Sequence, residues 1–72
     1  MKQRIELDET EWGQILDGLS CRQELYEDTV RYYEGSTHCR EIAEVSGADE
    51  ARNLARIYRE LIAEIRRQLE AF

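Results

Sequence analysis

Residues 7–35, LDETEWGQILDGLSCRQELYEDTVRYYEG, decide the fold. The stretch opens on Asp8-Glu9-Thr10-Glu11, which has the form of a capping box. In that arrangement the Asp8 carboxylate accepts orphan backbone N–H groups, and Glu11 reaches back to the N–H of Asp8. Leu7 before the box and Trp12 after it are spaced as a hydrophobic staple. The acids of the first turn also suit the positive end of a helix dipole. From there Trp12, Ile15, Leu16, Leu19, Tyr26, Val30 and Tyr33 fall on one face at about 100° per residue. Gly35 stands where a left-handed glycine ends a helix. These signals predict a helix over residues 9–34, about 39 Å long. Gly13 and Gly18 lie inside it, and each costs about 1 kcal/mol relative to alanine.

The same helix carries a second, narrower apolar stripe. Cys21, Leu25 and Tyr32 lie well over 100° from the direction of Leu19. A bare pair of helices leaves them wet, so either the connecting segment or another subunit has to cover them.

Residues 36–46, STHCREIAEVS, form the connection, longer than most helix–helix joints. Two conformations fit it. Ser36 caps a short helical turn through Cys39 to Ala43, or residues 42–45 run extended beside residues 4–7. Ile42 and Val45 are the residues expected to be buried there. Ser46, with Asp49 three positions on, reads as the start of a second helix over residues 48–71. Its apolar positions are Ala51, Leu54, Ala55, Tyr58, Leu61, Ile62, Ile65, Leu69 and Phe72, with Ile57 widening the stripe. Glu27 with Arg31, and Arg56 with Glu60, are four apart and set to pair.

Two long helices of near-equal length predict an all-α fold: one domain over residues 1–72, folded as an antiparallel hairpin. Both apolar faces are wider than the single seam of a hairpin. Dimerisation into a four-helix bundle is the expected remedy. Cover by residues 36–46 is the competing one.

The chain has 72 residues, with 36% charged and 42% hydrophobic residues and no proline. At this length only about 60% of the unfolded surface can be buried, so an isolated domain is marginally stable. No apolar run is long enough to span a membrane. The first twelve residues lack the apolar core of a secretory signal. Two cysteines are too few for a disulfide scaffold and point to a reduced, cytoplasmic protein.

The net charge is −6. Residues 1–35 hold four bases against nine acids, and residues 36–72 hold six against seven. An acidic chain is repelled by phosphate backbones and by anionic lipid, so neither nucleic acid nor membrane is an expected direct partner. A basic protein fits better. Glu24, Glu27, Asp28 and Glu34, with Leu25 and Tyr32, form the candidate partner-binding surface.

Catalytic and metal chemistry find little footing. The four glycines are scattered, so no phosphate-binding loop exists. Cys21, His38 and Cys39 are the only soft ligands, and the adjacent His38-Cys39 lacks the usual ligand spacing for zinc. No metal or cofactor is expected. An intramolecular Cys21–Cys39 disulfide would have to span roughly 20 Å of helix with a return segment of about 17 Å. Arg56, Arg59, Arg66 and Arg67 form a basic patch interleaved with acids, which fits ion pairing better than phosphate binding.

The Leu-x-x-x-x-Trp helix start, the Tyr-rich helix end, the IAEV segment and the Arg/Ala-rich second helix resemble small bacterial and phage-borne helical-hairpin proteins. These carry no assigned function, and the resemblance transfers no catalytic residue. Small acidic proteins of mobile elements include inhibitors of host defence such as the anti-CRISPR proteins. By that analogy the expectation next to a protein–protein interaction module is an inhibitor that blocks a nucleic-acid-binding surface. A thiol or metal sensor using Cys21, His38 and Cys39 is the third reading.

Overall fold

The computed structural model describes residues 2–35 and 41–70. It contains two helices, α1 (Glu9–Tyr33) and α2 (Ala48–Glu70), packed against each other. The capping box forms as read. Asp8 Oδ1 accepts the Glu11 N–H at 2.8 Å, and Glu11 Oε1 accepts the Asp8 N–H at 3.0 Å. Leu7 and Trp12 are both half-buried and line one groove with Leu16 and Leu69. At the far end Gly35 adopts φ 100° and donates its N–H to the Tyr32 carbonyl at 3.1 Å. A side chain is strained in that conformation, which is why glycine stands there.

α2 begins at Ala48, as read, but its start is held by a different pair than expected. Ser46 donates both its N–H and its hydroxyl to Glu50 Oε2, at 2.8 and 2.6 Å, so Glu50 rather than Asp49 closes the turn. Gly47 is the last residue before the helix and its carbonyl accepts the Ala51 N–H. The helix therefore begins one position later than a cap at Ser46 would place it, and Asp49 pairs with Arg52 instead. Arg56 and Glu60 pair as read, at 3.2 Å. Glu27 does not pair with Arg31: it accepts from Gln23 at 2.7 Å, while Arg31 pairs with Asp28, one residue nearer.

The helices run antiparallel. Tyr26 stacks on Tyr58 mid-seam with ring centroids 5.7 Å apart, and Glu34 reaches Arg52 at the connected end. The buried set is small: Tyr26, Thr29, Ala51, Ala55 and Ile62. Two alanines on α2 let the backbones approach around the tyrosine pair. Thr29, wholly buried, is a core residue that the apolar pattern passes over. Its hydroxyl donates to the Leu25 carbonyl at 2.8 Å and accepts the Ala43 N–H at 2.9 Å.

Several expected core residues lie outside the core. Ile15 and Tyr33 of the α1 stripe are exposed, as is Leu69 of α2. Tyr33 and Leu69 stand in the last turns of their helices, where the seam runs out. Ile42 is also exposed, and Val45 is half-buried. Residues 41–45 are neither helix nor strand, and no strand occurs among the described residues. That segment is held by the Thr29–Ala43 bond and by the Tyr33 hydroxyl donating to the Val45 carbonyl at 3.3 Å. The expected cap at Ser36, the residues His38 and Cys39, and Phe72 lie outside the described residues.

Candidate interaction faces

The seam divides the hairpin surface into two unlike flanks. One groove beside it is lined by Glu27, Val30 and Arg31 of α1 and by Arg52, Arg56 and Arg59 of α2. These positions recur at three and four along each helix, so each set stays on one side. This flank is polar and laced with ion pairs: Arg52 to Glu34 at 3.2 Å and to Asp49 at 3.0 Å, and Arg56 to Glu60.

On the other flank residues 41–45 descend into α2. Tyr33, residues 42–46 and Glu50 line a shared concavity there. At about 100° per residue, Leu54, Ile57 and Leu61 follow Glu50 down the same side of α2, and Leu25 and Tyr32 lie on that side of α1. The two outer apolar stripes, one on each helix, thus converge on one flank. The connection covers its upper end only. Ile57 and Leu61 remain 43% exposed.

The six candidate partner-binding residues separate accordingly. Leu25 is half-buried and Tyr32 is exposed, its ring edge-on to Tyr33 at 5.3 Å, both on the apolar flank. Glu27 and Glu34 lie toward the arginine flank, Glu34 tied to Arg52. Glu24, exposed, and Asp28, half-buried against Arg31, are left on the outer side of α1. The acidic set is therefore a band around α1 rather than one face.

Arg22 lies at the edge of the seam. Its guanidinium carbon sits 5.0 Å from the Tyr26 ring centroid, and the group donates to the Tyr26 hydroxyl at 2.6 Å. The phenol oxygens of Tyr58 and Tyr26 make it hold its proton more tightly than a free arginine does. Two carboxyls are pulled below their ordinary range by hydrogen bonds. Arg67, then Gln68, lowers Glu64 to about 2, and Ser46 lowers Glu50.

Cys21 is exposed and free. No cluster of metal-ligating side chains occurs among the described residues, a set that excludes His38 and Cys39. The groove beside the arginines is an open trough of about 620 Å³. No described helix is long and apolar enough to cross a membrane. Set against family models, curated proteins and solved structures, the chain matches none.

Proposed function

We propose that the chain is a non-enzymatic protein–protein interaction module that works as a homodimer. Two hairpins form a four-helix bundle, and the outer acids of α1 are left to meet a basic protein partner. The supporting observation is surface area. The hairpin exposes 5965 Å². A compact monomer of 8.5 kDa exposes about 4,650 Å², so this chain carries about 1,300 Å² in excess. A stable protein interface takes about 800 Å² from each partner. The excess is large enough for one such interface, and exposed Ile15, Ile42, Ile57 and Leu61 belong to it.

Sedimentation equilibrium of the full chain tests the dimer. The expected mass is twice the 8.5 kDa of one chain. A single-chain mass at every concentration overturns it. The acidic band has its own test. A basic protein recovered from host lysate at low salt should be released as salt rises, and Glu24→Lys with Asp28→Lys should reduce its recovery. Recovery unaffected by charge reversal removes Glu24 and Asp28 from the interface.

A further inference from the structure

We infer that residues 2–8 pair with the same residues of a second copy as a two-stranded antiparallel ribbon centred on Ile5. The ribbon lies over the open end of the hairpin, opposite the connection. The inference rests on the dimer reading above and adds a contact between the copies.

The backbone of this segment is available. Residues 2–7 belong to no helix or strand, and among the described residues their backbone groups make no hydrogen bond. Asp8 alone is engaged, its N–H on Glu11 and its carbonyl on Trp12. A stretch of unpaired N–H and C=O groups is a template for another strand. Arg4 Nε and Glu6 Oε1 lie 3.9 Å apart, so side chains two positions apart share a side, as in a strand. Both stand out in solvent, with side chains 76% and 84% exposed. Gln3, Ile5 and Leu7 alternate with them. Gln3 and Ile5 line a concavity with Trp12, Ile65 and Leu69, and Ile5 and Leu7 line an adjoining one with Trp12 and Leu16. Arg4 borders both. Ile5 is still 64% exposed there, more than any other large apolar side chain among the described residues.

The charges select the partner and the register. The alternate positions are Lys2, Arg4, Glu6 and Asp8, bases followed by acids. That order is complementary to its own reverse. An antiparallel pair about Ile5 sets Arg4 against the partner's Glu6 and Lys2 against the partner's Asp8, and the two-fold axis repeats both contacts. A parallel pair in register sets like against like. Opposite charges directly across two strands favour pairing, and like charges oppose it. Lys2 is free to take part, since it acts on Glu64 only through its field. On the other side of the ribbon Ile5 meets its own counterpart, above Trp12 and Leu69. With Ile5 as a hydrogen-bonded pair, residues 3, 5 and 7 supply the ladder, so the Asp8 N–H already given to Glu11 is not required. Two strands this short are barely stable alone. Tethered to hairpins that associate, they meet as an intramolecular pair.

The test mixes two variants of the full chain. Arg4→Glu places acids at positions 4 and 6, and Glu6→Arg places bases at both. Each variant opposes its own pairing, and the two complement each other. Neither retains the internal Arg4–Glu6 contact, so that contact cannot produce a preference. Mass spectrometry of intact complexes should show the mixed dimer well above its share under random pairing. Arg66→Glu mixed with Glu70→Arg, both exposed on α2, controls for net charge and should give the random share. In chains carrying Cys21→Ser and Cys39→Ser, Ile5→Cys should link into a covalent dimer on oxidation with copper phenanthroline. Gln3→Cys, which the register sets opposite the partner's Leu7 and away from its own counterpart, should remain unlinked. A mixed dimer no more abundant than in the control, or equal linking at 3 and 5, overturns the ribbon while the dimer reading stands. A native chain that is monomeric throughout overturns both.

Discussion

The buried hydroxyl of Thr29 accepts the backbone N–H of Ala43 at 2.9 Å and, together with the Tyr33 hydroxyl on the Val45 carbonyl, fastens the connecting segment to the side of α1. The same hydroxyl donates to the Leu25 carbonyl, so both of its roles are filled. Thr29→Val keeps the shape but leaves the Ala43 N–H without its acceptor. A lost partner for a desolvated donor costs about 1–3 kcal/mol. Urea unfolding should show a loss in that range for valine and a smaller one for serine, which keeps the hydroxyl.

The start of α1 rests on its reciprocal cap. Asp8→Ala removes the acceptor of the Glu11 N–H and should lower stability by about 1 kcal/mol. The midpoint of thermal unfolding reports it. An unchanged midpoint would mean that the first turn contributes nothing to the cooperative fold.

Two glycines of α1's neighbourhood should respond in opposite directions to alanine. Gly13 is helical with open space around its Cβ position, so Gly13→Ala should stabilise by about 0.5–1 kcal/mol. Gly35 has φ 100°, and Gly35→Ala should destabilise by about 1 kcal/mol through backbone strain alone. Denaturant midpoints measured side by side separate the two.

Tyr26 and Tyr58 hold the middle of the seam. Tyr26→Ala should cost about 3–5 kcal/mol, as a large aromatic deletion does, and leave a chain of this size largely unfolded. A double-mutant cycle with leucine at both positions should give a coupling of about 0.5–1.5 kcal/mol for the stacked pair.

Glu64 titrates near 2 against an ordinary 4.5, because Arg67 and Gln68 donate to its charged form. A depressed carboxyl contributes stability above its unfolded pKa. That contribution fades as pH falls from about 4.5 through about 2. Arg67→Gln should move the Glu64 carboxyl titration, followed by carbon NMR, back toward 4.5. Ser46→Ala should raise that of Glu50, while the Ser46 N–H bond retains part of the effect.

The sequence by itself determined whatever acts within a turn or so of chain. The Asp8–Glu11 box, the left-handed Gly35, the Arg56–Glu60 pair and both helix spans to within about a residue were legible for that reason. The box and the ion pair depend on side chains three or four positions apart, whose geometry the helix itself supplies, and Gly35 on its own backbone freedom. The two apolar stripes of α1 were also legible, but only as directions on an isolated helix. Which direction meets α2 depends on how both helices rotate about their common seam, a choice made by packing over the whole length. Only the tertiary structure decided that Thr29 would be core while Ile15 and Tyr33 stayed exposed, because a hydroxyl can be buried once Leu25 and Ala43 satisfy it. It likewise decided that Leu25 and Tyr32 share a flank with Ile57 and Leu61, and that Glu34 turns inward to Arg52. No periodicity within either helix encodes these relations, since each joins residues brought together only when the hairpin closes.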